Sequence, residues 1–131
     1  GAEGFYNDAG IDDVDLYLML FYDGTYVPFY IGELYGAAYI VLAGPGRGPL
    51  WDDTSFTLSW MENLSDQTHV LRFDASILAL TYVSLNAYVS HYMGDRGEFH
   101  YTLSIPATPD QPGIDIDAPR FEGGFGARVR F

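Results

Sequence analysis

The chain has 131 residues, no cysteine, six basic residues and eighteen acidic ones, which gives a formal net charge of −12. Its length allows one domain with a modest core or a small closed barrel. The absence of cysteine excludes a disulfide framework and a thiolate zinc site. The acidic balance argues against a nucleic-acid partner, because phosphate binding requires a basic surface. All six basic residues are arginines, and the eleven Tyr, nine Phe and fifteen Gly favour β-structure with many bends.

The first predicted strands follow an N-terminal segment at residues 1–12. Apolar and polar residues alternate over 13–23, as a half-buried strand requires, because successive side chains point to opposite faces. An Asp-Gly pair at 23–24 then predicts a hairpin turn. The alternation continues over 26–31, although a proline in that run restricts it to an edge or irregular strand. Residues 26–43 therefore form either one long strand or two.

The middle of the chain contains the clearest strand signals. A glycine- and proline-rich stretch predicts a long loop at 44–53, and residues 55–63 alternate strictly before a predicted turn at 64–67. Residues 71–91 alternate again, as one long strand or as two joined by a tight turn. The span 75–94 has no charged residue, but its six serine, threonine, asparagine and histidine side chains make it a poor membrane-spanning helix.

The last third predicts a turn at 93–97, a strand at 98–105, a long loop at 106–119 and a final strand at 120–131. The chain thus contains seven or eight predicted strands and no competing helical periodicity. These patterns predict a single all-β domain over 1–131, with antiparallel strands.

The final strand has one apolar face and one charged or bare face. Its odd positions are Phe121, Gly123, Phe125, Ala127, Val129 and Phe131, and its even positions are Arg120, Glu122, Gly124, Gly126, Arg128 and Arg130. An alternating strand that ends on phenylalanine resembles the closing strand of small bacterial outer-membrane β-barrel proteins. The resemblance implies a small closed barrel of about eight strands, with its apolar face toward outer-membrane lipid. It also implies an exported, mature chain without a signal peptide, at the outer membrane or cell surface.

Two observations bear on the barrel prediction. The polar faces of the central strands carry mainly serine, threonine and asparagine, as a narrow lumen requires. With a periplasmic N-terminus, the long loops 44–53 and 106–119 are expected at the outer side and the short turns 64–67 and 93–97 at the inner side. The alternative is a soluble β-sandwich or jelly roll, extracellular or virion-associated, because those folds alternate in the same way.

Charged residues of both signs alternate into the predicted interior face. We expect them to pair there as a structural charge network, because a buried charge without a partner is costly. The members of this predicted network are Arg72, Asp74, Glu98, Glu122, Arg128 and Arg130.

The loops supply the candidate contact residues. These are Trp51, Asp52, Asp53, Asp115 and Asp117. Carboxylates suit Ca²⁺, and the two loops are expected to share one rim, but no EF-hand pattern is present. We therefore favour solvated acidic loops over a metal site, and we predict no cofactor.

No catalytic residue is predicted. Among the histidines His69, His91 and His100, only His100 has a serine, Ser104, on the same predicted face, and no nucleophile motif accompanies it. A lipid-modifying or hydrolytic activity is thus not favoured. The expected role is structural, adhesive or partner-docking through the long loops of a barrel with a filled polar interior. The alternatives are a soluble acidic β-sandwich that serves as a surface, virion or filament subunit, and a sugar-binding module.

Overall fold

The computed structural model describes residues 1–14, 16–17, 20, 24, 31–44, 53–80, 82–109 and 112–129. These residues contain eight strands. They are β1 (Ala2–Tyr6), β2 (Leu34–Ala43), β3 (Thr54–Asn63), β4 (Thr68–Leu80), β5 (Val83–Met93), β6 (Thr102–Ile105), β7 (Ile114–Asp117) and β8 (Phe121–Val129).

Six of the strands form one antiparallel sheet in the order β1-β2-β3-β4-β5-β8, and β6 pairs with β7 in a separate two-stranded sheet. The prediction of an all-β, antiparallel fold is confirmed. Four of the five connections within the large sheet join neighbouring strands in sequence. The exception is the step from β5 to β8, which passes through the small sheet.

The strict alternation in the middle of the chain predicted its strands well. β3 and the turn that follows it at 64–67 lie where the pattern places them. The run at 71–91 is two strands, β4 and β5, which meet at a tight connection after Leu80. β8 coincides with the alternating stretch at the end of the chain.

Three predictions about the remaining segments are wrong. The described residues of the predicted strand at 13–23 lie in none of the eight strands. In the predicted strand at 98–105, only β6 is extended, because the preceding residues turn back against the large sheet. The predicted loop at 106–119 contains β7. The predicted strand at 26–31 lies outside the described residues, except for Ile31.

The described strands do not close into a barrel. β1 and β8 are the two ends of the pairing order and do not pair with each other. The expected eight-stranded closure counted strands at 13–23 and 98–105. The described residues of 13–23 contain no strand. Of the predicted strand at 98–105, only β6 is a strand, and it pairs with β7.

The expected distribution of loops is also wrong. Since successive strands of the large sheet are antiparallel, Gly44 and Asp53 lie at the end where β2 finishes, together with the end of β4 and the start of β5. The turn at 64–67 and the whole of 94–120 lie at the opposite end. The described residues that flank the first predicted loop therefore join the sheet at the opposite end from the segment that contains the second. We call these ends the β2–β3 end and the β3–β4 end.

Candidate functional site: the two faces of the sheet

Strand register decides which side chains share a face of the large sheet. In an antiparallel sheet, Cα partners project to the same side, and so do residues two apart along a strand. One continuous row joins Leu42, Phe56, Ala75, Ala87 and Phe125 through four successive pairings. We call the side that carries this row the apolar face and the opposite side the polar face.

The apolar face is both continuous and exposed. The next row along the strands, from Ile40 through Leu58, Phe73 and Val89, is equally apolar. Phe125 is 95% exposed. The exposed apolar side chains on this face are Tyr6, Leu34, Ile40, Leu42, Leu58, Leu71, Phe73, Leu85, Val89, Phe121, Phe125 and Val129. Scattered exposed apolar residues are ordinary, but a contiguous face of them marks an interaction surface.

The apolar face changes character at the β3–β4 end. There the row that contains Gly36 continues through Glu62 and His69 to Met93. In the adjacent row, the ring of His91 stacks on Phe121 with centroids 4.2 Å apart. Polar and aromatic groups thus border the aliphatic rows at this end.

The polar face carries the central part of the predicted charge network. Arg72 forms a bidentate ion pair with Asp74, with 2.7 Å between Nη2 and Oδ1, and its guanidinium lies 4.2 Å from the centre of the Tyr88 ring. Glu122 accepts hydrogen bonds of 2.7 Å from the hydroxyls of Tyr88 and Tyr92. Three predicted members, Arg72, Asp74 and Glu122, therefore meet around one tyrosine.

The other predicted network members lie elsewhere. Arg128 is on the polar face near the β2–β3 end, beside Ser84, its partner in the strand register. Glu98 belongs to the segment after β5 and is buried at the β3–β4 end. Arg130 lies outside the described residues. Glu98 and Arg128 thus lie apart from the three members around Tyr88, because strand register and the turn after β5 separate them.

A buried hydrogen-bonded cluster, centred on Glu98, closes the polar face at the β3–β4 end. Glu98 Oε2 accepts from the Tyr35 hydroxyl at 2.5 Å and from Asn63 Nδ2 at 2.9 Å. The Tyr35 hydroxyl also accepts from the amide of Gly32 at 2.6 Å. Asn63 is fully buried. These bonds tie the strands β2 and β3 to the segment after β5.

The turn between β3 and β4 adds a second carboxylate to this cluster. Asp66 Oδ1 accepts from the amide and hydroxyl of Thr68, and Asp66 Oδ2 accepts from the amide of Glu98 at 2.7 Å. The Thr68 hydroxyl accepts in turn from the amide of Phe99. The segment 98–99 is therefore fastened to the turn by its backbone, which explains why it leaves the strand conformation.

Tyr17 packs into the same cluster from the N-terminal part of the chain. Its side chain is 0% exposed, and its hydroxyl donates to the carbonyl of Ile11 at 3.2 Å. Burial raises the pKa of the Tyr17 hydroxyl above its ordinary value, and the nearby carboxylate of Asp66 raises it further. The few buried apolar side chains, Tyr17, Ile31, Tyr35 and Phe99, all lie in this region.

The predicted loop contacts do not converge. Asp53 is exposed at the β2–β3 end, whereas Asp115 and Asp117 are exposed on β7 in the segment at the opposite end. The expectation of a shared rim is therefore wrong. Trp51 and Asp52 lie outside the described residues. Within the part of the chain that the structure describes, no group of three or more histidine or acidic residues is arranged to hold a metal ion.

The three histidines are also dispersed. His69 and His91 lie in rows of the apolar face. His100 is almost fully buried after β5, with Nδ1 3.3 Å from the carbonyl of Asp95 and Nε2 3.6 Å from a carboxylate oxygen of Asp117. Ser104 lies in β6 and pairs with Asp115. The histidines therefore do not form a three-residue site.

Except for Glu98, the residues that fill the polar face at the β3–β4 end were not predicted from the sequence. Local signals existed for two of them, since asparagine and aspartate in turns bond to backbone amides two residues ahead. Asn63 Oδ1 accepts from the amide of Ser65, and Asp66 does so from that of Thr68. The partners Tyr35 and Glu98 carry no such local signal.

No family model matches this chain, and no curated protein or solved structure shows significant similarity to it. Among the described residues, no helix has the length and apolar character to span a membrane.

Proposed function

We propose that this chain is a membrane-embedded, antiparallel β-sheet protein of the outer-membrane type, with a structural or partner-docking role. Its apolar face contacts lipid hydrocarbon, and its polar face borders a hydrated interior that the cluster around Glu98 fills at one end. The single observation that carries this proposal is the exposed, continuous apolar face of the large sheet.

Strand length supports a lipid environment for this face. β2 and β3 have ten residues each, β4 has thirteen, β5 eleven and β8 nine. A tilted strand needs about nine to eleven residues to cross the hydrocarbon core of a bilayer. All five strands are therefore long enough to cross the hydrocarbon core, whereas strands in globular proteins most often have about five or six residues.

The polar face supports a hydrated interior. Its charged groups at the centre of the sheet have partners, since Arg72 pairs with Asp74 and Glu122 accepts from two tyrosines. Positions on β3 and β5 of this face carry small neutral side chains such as Thr57, Ser59 and Ser90, whereas β2 adds the exposed Tyr39 and Val41. Lumen-facing residues of membrane barrels are polar and alternate with lipid-facing ones along each strand.

In this proposal a partner docks at an end of the sheet, because the apolar face contacts lipid and the polar face borders the interior. The segment between β5 and β8 folds into its own two-stranded sheet, whose strand β7 is fully exposed. Its exposed carboxylates, Asp115 and Asp117, are available to a protein partner or to cations.

Trp60 provides a direct test, because it lies on the apolar face in the row of Leu71. The variant Trp51→Phe leaves Trp60 as the sole tryptophan. In vesicles of phosphatidylcholine with brominated acyl chains, we expect strong quenching of Trp60 fluorescence. The matched control adds Trp60→Phe and Ser59→Trp, which moves the indole by one residue to the polar face, and we expect much weaker quenching there.

Two results contradict the proposal. Equal quenching of the two indoles means that the faces do not differ in their contact with lipid. A monodisperse protein that stays in solution without detergent means that the apolar face is covered by protein, as in the soluble β-sandwich or subunit alternative. Faster gel migration of unboiled than of boiled protein is the further result we expect from a folded membrane sheet.

A further inference from the structure

The polar face contains an open recess at the β2–β3 end, far from the cluster around Glu98. Its volume is about 590 Å³, and its polar lining includes Asp53, Ser55, Ser76, Ser84, Asn86 and Arg128. Gly126, the register partner of Asn86, has no atom within 4 Å of the position that a Cβ would occupy. The space between Asn86 and Arg128 is therefore free.

Hydrogen-bond donors dominate one side of this recess. The Ser76 hydroxyl donates to Asn86 Oδ1 at 2.9 Å, which leaves the amide hydrogens of Asn86 for another acceptor. Arg128 contributes a guanidinium beside the hydroxyl of Ser84, its register partner. An amide, a guanidinium and hydroxyls together form a donor set that suits a carboxylate.

The contrast with Arg72 shows why Arg128 stands out. The Arg72 guanidinium is engaged by Asp74 through three hydrogen bonds and by the ring of Tyr88. In the described part of the chain, Arg128 is exposed and has no comparable hydrogen bond or ion pair, so a ligand can replace water at its guanidinium donors. Since both arginines lie on the same face, the difference is local to the recess.

We propose that this recess binds the carboxylate of a small hydroxylated monoanion, such as a sugar acid, through Arg128 and Asn86. The serine hydroxyls then pair with hydroxyls of the ligand. Asp53 also lines the recess and repels every anion, so a ligand with one negative charge is disfavoured less than one with several. The site goes beyond the proposed membrane function: it lies on the water-facing side of the sheet, so anion binding and lipid insertion can fail separately.

The test is calorimetric titration of the folded full chain with galacturonate at low ionic strength, with galactose as the neutral control. We expect saturable binding of galacturonate and none of galactose. Arg128→Gln should weaken binding by about tenfold to a hundredfold, as expected for loss of a charged hydrogen-bonding partner. Arg120→Gln, which removes the same charge from an exposed position at the opposite end, should leave binding unchanged.

A second variant keeps Arg128 and fills the space instead. Gly126→Leu introduces a side chain where the backbone and its surroundings accept one, so we expect a folded protein that no longer binds galacturonate. The proposal is overturned by equal binding of galactose, by unchanged affinity in Arg128→Gln or Gly126→Leu, or by no saturable binding at millimolar galacturonate. Quenching of Trp60 by brominated lipid in the same protein reports separately on the membrane proposal.

Discussion

The two faces of the large sheet are stabilised in opposite ways. The polar face is closed at one end by its own chain, where buried side chains and backbone amides satisfy Glu98 and Asp66. The apolar face has exposed side chains from β2 to β8, and Phe125 is almost completely uncovered. In a water-soluble protein, the larger apolar surface is the one that is buried. The described part of the chain therefore leaves the apolar face without the cover that it gives to the polar face at the β3–β4 end.

The largest expected effect comes from placing an arginine on each face in turn. Leu58 is on the apolar face and Thr57, one residue earlier, is on the polar face opposite Asp74. In lipid we expect Leu58→Arg to lower the free energy of unfolding by about 2–4 kcal/mol and Thr57→Arg by less than about 1 kcal/mol. The measurement is denaturant unfolding in phosphatidylcholine vesicles.

This pair of variants separates lipid from water because Leu58 is already exposed in the isolated chain. At a water-exposed position, exchange of leucine for arginine changes stability by no more than about 0.5 kcal/mol. A change near zero in the unfolding free energy of Leu58→Arg would show that this face is exposed to water. Equal losses of unfolding free energy in both variants would show that the faces do not differ.

The next effect concerns the cluster that closes the polar face. Tyr35→Phe removes the hydroxyl that bonds both the Gly32 amide and Glu98. We expect a loss of about 1–3 kcal/mol, because a buried group left without its hydrogen bond bears its full desolvation cost. Tyr39→Phe is the matched control, since Tyr39 lies four residues along the same strand and is half exposed. Equal losses in the unfolding free energy of the two variants would contradict the importance of this cluster.

The comparison also explains which parts of the fold the sequence predicts. β3, β4, β5 and β8 alternate clearly, because each has an apolar face and a polar face along most of its length. The run at 13–23 is different: nearly all of its positions from 16 to 22 are apolar, so its alternation carried little information. Its described residues include Tyr17, which belongs to no strand and is buried in the cluster around Glu98.

The site was predictable only where it depends on a single strand. Arg72 and Asp74, two residues apart on β4, pair as expected from their shared face. Glu98 was assigned to that face by alternation, but its position depends on Asn63 and Asp66, more than thirty residues earlier. Such long-range hydrogen bonds override a local pattern, and a single sequence contains no signal for them.

A smaller effect depends on pH and tests the burial of Tyr17. Its pKa is raised in the folded state, so the stability it contributes is present below the ordinary tyrosine pKa of 10.0 and is lost as pH rises toward the folded value. At neutral pH we expect Tyr17→Phe to cost about 1 kcal/mol through its bond to the Ile11 carbonyl. Unfolding free energies measured from neutral to strongly alkaline pH should converge for the two proteins. A constant gap would mean that this hydroxyl titrates equally in both states.

The smallest effect is expected at the ion pair on the polar face. Arg72 and Asp74 both keep more than a third of their side-chain surface exposed, so water screens their attraction. A double-mutant cycle with Arg72→Gln and Asp74→Asn should give a coupling energy of about 0.2–1 kcal/mol, and added salt should reduce it. A coupling of several kcal/mol that is insensitive to salt would instead place the pair in a dry interior. The polar face would then be packed against protein along its whole length, and its difference from the apolar face would lie in chemistry and not in access to water.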